Sequence, residues 1–324
     1  MNSSKNQEKI VIVGFGWVGQ ANALALKRMG HDVAYFDPGE PPRHYPEFAS
    51  IYDSLERLTS VLGADSDSTW YFVCVGDRVS DEGEQDISNI KAALDSLRGG
   101  KGGIVLRSTI IPDLLENLSF DYYLPEFLHE KKAVDECIDP YLFVVGKKNG
   151  ARPEPAIFSL WRVRSHKVFD GTPREASFIK YLWNLWNATR VAFVNEFGDA
   201  IGRPVDKEHL SEIEKIVDFL FDNRSYLRYG KSFGGHCLPK DIRAFTKWYS
   251  KNTPLTLLKG VQESNAAHRA LEEKFPLMPE WYSQYPDRFI SGKRALRDLW
   301  KATRKYLRQP GLVFTRFMPH HFDR

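Results

Sequence analysis

The sequence predicts an α/β protein in which a doubly wound, mostly parallel sheet comes first, an all-helical middle follows, and a short basic tail ends the chain. Three features predict this order. A glycine-rich turn joins an apolar run to a helical pattern near the N-terminus, apolar runs of strand length follow it, and residues 172–274 have the periodicity of helices. We expect domain boundaries at 1–170, 171–275 and 276–324.

The first strand, helix and second strand form one dinucleotide-binding unit over residues 9–37. Its turn reads Gly14-Phe15-Gly16-Trp17-Val18-Gly19. Gly14 permits the tight turn, Gly16 lets a pyrophosphate approach backbone amides, and Gly19 lets the helix pack on the strand. Asp37 ends the second strand, where its carboxylate can accept a hydrogen bond from a ribose 2′-hydroxyl. The glycine pattern alone is weak, but strand, helix, strand and terminal acid in this order predict a Rossmann-like domain.

Asp37 also predicts which dinucleotide binds. Its charge repels a 2′-phosphate, and the residues that follow it, Pro38-Gly39-Glu40, supply no adjacent cation. Arg43 is the one nearby residue that argues otherwise. NAD is therefore expected in preference to NADP.

Later apolar runs supply further strands of the sheet. They have the continuous β-branched and aromatic character of strands that are buried on both faces. The runs are Thr69–Val75, Gly103–Arg107, Asp121–Leu124 and Tyr141–Val145. Together with the dinucleotide unit they predict a sheet that occupies the first domain.

A long apolar helix is expected after Thr172-Pro173-Arg174-Glu175, a capping box with proline at the first helical position. The helix is apolar on almost every side, which predicts burial, partly by a second copy of the chain. Lys180 and Asn184 interrupt it on one face. They are either a lysine that reaches water beside a structural amide, or a polar pair directed at a substrate oxygen. Residues 208–221 and 253–274 predict two further helices.

Cys237 has the surroundings of a reactive thiol. Gly234 and Gly235 let the backbone approach a ligand, and Pro239 suits the first turn of a helix, so the sulfur is expected at a helix N-terminus. Amide dipoles and Lys240 are expected to favour the thiolate, which is the nucleophile. The alternative is a buried, inert thiol. His129 and His236 do not have the spacing of metal ligands, and no metal is expected.

Composition indicates the class of protein and its compartment. The chain has 324 residues, of which 42% are hydrophobic and 27% charged, as in an ordinary globular protein. Three cysteines, no apolar span of membrane length and no signal peptide predict the reducing cytoplasm. The net charge of +3 gives no reason to expect a nucleic acid as partner.

Positive charge is concentrated in residues 288–324, which hold ten Lys or Arg and two Asp. Within this tail, Lys293–Arg308 predicts a basic amphipathic helix. The helix is expected either to dock on its own protein or dimer mate, or to contact a membrane surface or an acidic partner.

Five segments, taken in order, resemble the UDP-glucose/GDP-mannose 6-dehydrogenase family, whose members oxidise the C6 alcohol of a nucleotide-sugar to a carboxylate. The resemblance covers roughly residues 9–270, and the segment around Cys237 is the most distinctive. The five segments are Gly14–Gly19, Arg107–Thr109, Pro125–Glu130, Lys180 through Asn184 to Glu196, and Phe233–Asp241.

The resemblance implies a role for each matching position. Cys237 would attack the C6 aldehyde to give a thiohemiacetal and then a thioester. Lys180 and Asn184 would stabilise the oxyanion, and Glu126 would be the base for thioester hydrolysis. The expected catalytic residues are Cys237, Lys180, Asn184, Asp241, Glu126 and Thr109. Asp241 and Thr109 would position the water that Glu126 deprotonates.

The resemblance also implies where cofactor and substrate bind. Residues expected at the NAD cofactor are Gly14, Gly16, Trp17, Val18, Gly19, Asp37, Val75, Thr109, Glu130 and Lys240. Residues expected at the substrate are Glu126, Phe127, Leu128, Lys180, Asn184, Arg224, Phe233 and Gly234.

The chain departs from this family at several places, and two of these departures bear directly on the binding of cofactor and substrate. Asp77-Arg78 stands where the family usually has Thr-Pro, so that a hydroxyl expected at the cofactor is missing. The third domain that holds the nucleotide of the sugar is expected to be absent, because only about 50 residues follow the last predicted helix.

We therefore expect a cytoplasmic, NAD-dependent, four-electron dehydrogenase of a nucleotide-sugar that acts as a homodimer. One alternative is a two-electron dehydrogenase of the β-hydroxyacid type, which uses a lysine and an asparagine on a helix but has no need of Cys237. The other is an NAD-binding scaffold or regulator without activity, which the missing third domain suggests.

Overall fold

The structure is a computed structural model that describes residues 8–202, 207–221 and 226–274, with the side chains at 130 and 207–209 left out. These residues belong to one compact unit, Met1–Ser283. The α/β class, with a parallel sheet followed by helices, is confirmed. The division into three domains stays a prediction, and the predicted tail helix lies outside the described residues.

Ten strands are found in the described residues. They are β1 Lys9–Val13, β2 Asp32–Phe36, β3 Glu56–Arg57, β4 Thr69–Val73, β5 Arg78–Val79, β6 Gln85–Asp86, β7 Gly103–Leu106, β8 Tyr122–Tyr123, β9 Leu142–Lys147 and β10 Lys167–Gly171. Eight of them form one sheet in the order β10-β9-β8-β7-β4-β1-β2-β3, while β5 and β6 form a separate hairpin. Neighbours in the large sheet are parallel except for the antiparallel pair β8 and β9.

Strand β1 lies at the point where the strand order reverses. Val11 lies opposite Ala34 of β2 on one side and Tyr71 of β4 on the other. The β-branched residues of β1 are buried on both faces of the sheet, as a central parallel strand requires. At such a reversal the loops at the carboxyl ends of adjacent strands diverge and leave a crevice in which ligands bind.

Nine α-helices accompany these strands in the described part of the chain. They are α1 Trp17–Arg28, α2 Ala49–Tyr52, α3 Ser88–Ser96, α4 Ala133–Ile138, α5 Ala156–Arg164, α6 Pro173–Ile201, α7 Lys207–Phe221, α8 Cys237–Tyr249 and α9 Thr256–Glu272. Leu24 of α1 and Phe158 of α5 pack on one face of the sheet, and Ile90 of α3 packs on the other. None of these helices is long and apolar enough to cross a membrane.

Helix α6 begins with the predicted capping box. The Thr172 hydroxyl accepts from the Glu175 amide at 3.2 Å, and the Glu175 carboxylate accepts from the Thr172 amide at 2.8 Å. The prediction that α6 is buried on almost every side is, however, wrong within a single copy of the chain. One stripe of α6 packs on α8 and α9, and the opposite stripe is exposed because no element of the described unit covers it. The exposed stripe consists of Leu182, Trp186, Phe193 and Phe197.

Candidate active site

Cys237 is the first residue of α8, as the Gly-Gly and proline pattern predicts, and it is exposed. Gly235 has a φ of +69°, in the left-handed region that favours glycine. Pro239 lies in the first turn, where a missing amide hydrogen costs the helix nothing. The chain thus turns sharply into α8 and presents the thiol at the helix N-terminus.

Side chains of α6 and α9 hold the loop that precedes Cys237. The Asn265 amide brackets Phe233: its Oδ1 accepts from the Phe233 amide at 2.8 Å, and its Nδ2 donates to the Phe233 carbonyl at 3.0 Å. Arg269 donates to the same carbonyl at 2.9 Å. From α6, Asn195 accepts from the Gly230 amide at 3.1 Å. The position of the thiol therefore depends on two helices that are distant in sequence from it.

Lys180 and Glu126 form a buried ion pair between α6 and the segment that follows β8. The Lys180 Nζ lies 3.1 Å from Glu126 Oε1 and donates to the Glu126 carbonyl oxygen at 2.6 Å. The Phe127 ring centroid is 5.3 Å from the same nitrogen. Because Lys180 is only 2% exposed, the alternative of a lysine that reaches water is wrong.

The two members of this pair keep each other charged. Burial alone lowers the pKa of Lys180, but the negative charges of Glu126 and Asp241 outweigh burial and raise that pKa above its ordinary value. Burial alone raises the pKa of Glu126, but the Lys180 ammonium and the Leu128 amide hydrogen bond bring it below its ordinary value. A buried carboxylate and ammonium therefore face the site as ions.

A second buried network joins the loop after β4 to α8 and α6. Lys240 Nζ lies 2.9 Å from both Asp77 carboxylate oxygens and 2.8 Å from Asp241 Oδ1. Asp241 in turn accepts from Asn184 Nδ2 at 2.6 Å through its other oxygen. Lys240 was predicted at the cofactor, but its ammonium is engaged by two carboxylates inside the protein.

The groups around the Cys237 thiol act on its ionisation in opposite directions. Although the residue is exposed, protein atoms around the sulfur deprive it of hydration and raise the pKa of Cys237 to about 12. The carboxylates of Glu126 and Asp241 act in the same direction, while Lys180 and Lys240 act against it. Lys240 therefore acts in the predicted direction, in favour of the thiolate, but burial and the two carboxylates outweigh its effect.

The glycine-rich turn has the shape of a pyrophosphate cradle. Gly14 has a φ of +88°, and a side chain there would meet Val75 Cγ2 at 2.9 Å. A side chain at Gly19 would overlap the Gly14 carbonyl oxygen. A Cβ at Gly16, in contrast, would meet no protein atom within 4 Å, so the space above Gly16 is open at the N-terminus of α1. This open space beside unpaired amides fits the predicted NAD.

The other predicted cofactor residues surround the same crevice. Asp37 accepts from the Phe15 amide at 2.7 Å, so its carboxylate lies on the glycine-rich turn. Trp17 is 44% exposed and stacks on His44 with ring centroids 4.0 Å apart. The carbonyl of Val75 accepts from Ser108 at 2.5 Å, which places the loops after β4 and β7 side by side. Val18 packs partly into the core next to them.

The structure describes the positions of some of the remaining predicted site residues, while others lie outside the described residues. Phe127 and Leu128 flank Glu126, whose Oε2 accepts from the Leu128 amide at 2.8 Å. Thr109 is buried in the loop after β7, and Gly234 is part of the loop that leads to Cys237. The Glu130 side chain and all of Arg224 lie outside the described residues, so their roles stay predictions.

Arg43, whose positive charge would favour NADP, does not lie beside Asp37. Its Nη2 is 2.7 Å from Asp53 Oδ1, and its guanidinium carbon is 5.0 Å from the Tyr52 ring centroid. It is thus engaged on the α2 side and not at Asp37. Within the described part of the chain, no group of three or more His, Cys, Asp or Glu could hold a metal ion.

Sequence reasoning missed several residues that organise the site. Gln85 donates to Asp77 at 2.6 Å and to the Thr109 carbonyl at 3.1 Å, and its Oε1 accepts from the Ile111 amide at 2.9 Å. It therefore ties the loops after β4 and β7 together. A signal was available only for the polar residues of α9, among them Asn265, which interrupt a helix on its inward face.

Comparison with known proteins identifies the helical part of the site. Residues 174–267 match the model described as the UDP-glucose/GDP-mannose dehydrogenase family, central domain. This segment includes Lys180, Asn184, Cys237 and Asp241. The resemblance expected from the sequence motifs is thereby confirmed.

Curated relatives match over most of this chain and about two thirds of their own length. The GDP-mannose 6-dehydrogenase of Pseudomonas aeruginosa is 28% identical over 279 residues, which is 74% of this chain and 63% of that protein. The UDP-glucose 6-dehydrogenase of Rickettsia felis is 28% identical over 291 residues, which is 79% of this chain and 64% of that protein.

Solved structures share the fold. A UDP-glucose dehydrogenase from Pyrobaculum islandicum superposes with a TM-score of 0.67 at 23% identity, over 85% of this chain and 73% of that one. A ternary complex of GDP-mannose dehydrogenase from Pseudomonas aeruginosa gives a TM-score of 0.54 at 26% identity, over 80% of this chain and 68% of that one. The sheet and the helices that carry the site are therefore arranged as in dehydrogenases of nucleotide-sugars.

Proposed function

Because this chain carries the central domain of the UDP-glucose/GDP-mannose dehydrogenase family, we propose that it is an NAD-dependent dehydrogenase that oxidises the C6 alcohol of a nucleotide-sugar to a carboxylate. NAD is the cofactor of that family. The observation that carries the proposal is the meeting of Cys237, the Lys180–Glu126 pair and the Asn184–Asp241 pair beside a crevice with an open pyrophosphate cradle. A simple two-electron alcohol dehydrogenase has no use for the thiol.

The hydrogen-bond donors and acceptors of the site have different roles in the proposed reaction. Lys180 and Asn184 are hydrogen-bond donors fixed on one face of α6, where they stabilise negative charge that develops on the C6 oxygen. Their acceptors in the free chain, Glu126 and Asp241, hold them in place before substrate arrives. When bound, NAD supplies the hydride acceptor for both oxidation steps.

Cys237 allows the second oxidation to proceed from the aldehyde. Its sulfur forms a bond to C6 while its proton passes to the carbonyl oxygen, which gives a thiohemiacetal. Loss of a hydride from C6 and a proton from the hydroxyl gives a thioester on Cys237. Water then adds to the thioester carbon and releases the carboxylate and the thiol, with Glu126 as the base that takes the proton of the water.

The proposal extends to assembly. The exposed stripe of α6 runs along one side of a helix of 29 residues. Aromatic and aliphatic side chains in one continuous stripe are typical of an interface and not of a solvated surface. A second copy of the chain, with its own α6 against this stripe, would cover it and make a homodimer.

The test is the yield of NADH from limiting substrate. Purified protein is mixed with NAD and, in turn, with UDP-, GDP- and TDP-sugars, and NADH is counted against sugar consumed. Two NADH for each sugar support the proposal and identify the substrate. One NADH for each sugar, or none from a chain that binds NAD by calorimetry, contradicts it.

Cys237→Ser is the matched variant. It keeps a hydroxyl at the start of α8 and removes the thiol, so we expect the first oxidation to persist and the second NADH to be lost. Unchanged release of two NADH by this variant would mean that the sulfur takes no part.

A further inference from the structure

Asp77 departs from the family motif and is buried against the catalytic helix. It occupies the place where the family usually has threonine, in the loop after β4. It is 8% exposed, and both carboxylate oxygens lie 2.9 Å from Lys240 Nζ. Gln85 fixes its orientation with a hydrogen bond of 2.6 Å. A buried carboxylate with such exact contacts needs a reason beyond filling space.

The reason lies in the charges that Asp77 joins. Its partner Lys240 also contacts Asp241 at 2.8 Å, and Asp241 lies one helical turn beyond Cys237 on α8. Across α6 and the segment after β8, the thiol is also within the field of Lys180 and Glu126. These groups are three carboxylates and two ammonium ions, with Arg107 a further cation that acts on Glu126.

With threonine in place of Asp77, two carboxylates would face two ammonium ions and the Arg107 guanidinium. Asp77 therefore adds one negative charge, which makes the number of carboxylates equal to the number of cations. It also holds Lys240 between two carboxylates, which offset the favourable effect of the ammonium on a thiolate. Both effects disfavour the negative charge that a thiolate would carry on the sulfur.

We propose that Asp77 is a positioning residue that disfavours the thiolate of Cys237 by engaging Lys240 and adding its own negative charge. The consequence for catalysis rests on the proposed function. Sulfur would add to the aldehyde as S–H, with the S–C bond formed and the proton delivered to the carbonyl oxygen. A neutral thiol also resists alkylation and oxidation while the site waits for substrate.

A structural role alone makes a different prediction. If Asp77 served only to link the loop after β4 to α8, its removal would lower stability and leave the ionisation of Cys237 unchanged. Reactivity of the thiol as a function of pH separates the two roles, and it requires neither cofactor nor sugar.

The experiment measures alkylation of Cys237 by iodoacetamide in the full chain, with Cys237 identified by peptide mass spectrometry apart from the buried Cys74 and Cys137. Asp77→Asn keeps the shape and removes the charge. We expect it to alkylate about ten-fold faster than the unchanged chain at about pH 8, the effect of a shift of one pKa unit. Lys240→Gln should alkylate more slowly than the unchanged chain.

Asp65→Asn is the matched control, because Asp65 accepts from the Lys101 and Gly102 amides before β7 begins, at the amino ends of the strands, whereas Asp77 follows the carboxyl end of β4. It should alkylate at the rate of the unchanged chain. Equal rates for Asp77→Asn and the unchanged chain overturn the proposal, as does equal acceleration by Asp65→Asn. Should Asp77→Asn fail to fold, Asp77→Thr takes its place with the same expectation. Acceleration in a chain that releases no NADH from any nucleotide-sugar supports this inference and contradicts the proposed function.

Discussion

The Nε2 atom of His268 lies 2.6 Å from the carbonyl oxygen of Gly230, and this contact determines which form of the imidazole can be present. A carbonyl oxygen can only accept, so Nε2 carries a hydrogen. Nδ1 lies 2.7 Å from the Asp199 carboxylate and donates as well. His268, which is 1% exposed, is therefore an imidazolium ion that connects α6, α9 and the loop before Cys237.

Stability is expected to fall as the pH rises above neutrality. Burial alone lowers the pKa of His268, but the Asp199 carboxylate and the Gly230 carbonyl outweigh it and raise the pKa above its ordinary value. The contribution is complete below the unfolded pKa, near 6.5, and is lost as the pH rises through the folded pKa. Urea unfolding over a series of pH values measures it.

His268→Gln is the matched variant for this dependence. Its amide can donate to one of the two acceptors but carries no charge. We expect it to cost about 2 kcal/mol of unfolding free energy at about pH 6 and less at about pH 9. A variant whose stability falls by the same amount at both values would show that the proton is not responsible.

Gly16→Ala and Gly19→Ala should fail in different ways. Alanine at 16 meets no protein atom, so the melting temperature should stay the same while NAD binding weakens at least ten-fold, because the methyl group occupies the cradle. Alanine at 19 overlaps the Gly14 carbonyl and should lower the melting temperature itself. Thermal unfolding and calorimetry with NAD measure both. Normal NAD binding by Gly16→Ala would place the cofactor elsewhere.

Glu126→Gln should stop the reaction after the second oxidation. Without a base, the thioester on Cys237 is not hydrolysed, so we expect a burst of two NADH for each subunit and then almost no turnover. Mass spectrometry of the quenched protein should find the acyl group on Cys237. Steady turnover of this variant at the normal rate would remove Glu126 from the mechanism.

Lys180→Met should slow both oxidations. It removes a donor to the C6 oxygen, a loss of about 10²–10³ in kcat for groups of this kind. It also leaves Glu126 buried without its counter-ion, which costs about 3–5 kcal/mol of stability. In a single-turnover experiment we therefore expect no burst of NADH from Lys180→Met, in contrast to Glu126→Gln. A burst of normal amplitude and rate would contradict the role of Lys180.

Leu182→Glu should separate the proposed dimer. Leu182 is 70% exposed on the α6 stripe, where a carboxylate would be buried without a partner on assembly. Val163→Glu, at a residue of α5 that is 62% exposed, is the control. Sedimentation analysis should give a monomer for the first and the unchanged species for the second. A monomer in the unchanged chain would reject the dimer outright.

Much of the fold could be predicted from short segments. The apolar run of β1, the glycine turn and α1 are local in sequence, and their order is specific enough to predict the crevice. The Thr172 capping box and the proline after Cys237 likewise report helix starts, because capping involves residues only a few positions apart. The faces on which Lys180 and Asn184 lie also follow from helical spacing.

The partners of these residues could not be predicted in the same way. Lys180 meets Glu126, Asn184 meets Asp241, and Lys240 meets Asp77, and the last pair is separated by 163 positions. Periodicity says which face of a helix is inward but not which loop will face it. The sequence therefore predicts that Lys240 acts on the cofactor and the thiol, but it does not predict that α8 packs on the loop after β4, where two carboxylates engage the Lys240 ammonium.

The sequence by itself determined the order of strands and helices, the glycine cradle and the placement of Cys237 at a helix start, because short-range sterics and hydrogen bonding decide these. Only the tertiary structure decided the charge state of the site. Ionisation depends on burial and on every charge within several ångströms, and folding brings Asp77, Lys240, Asp241, Glu126 and Lys180 together from four separate segments.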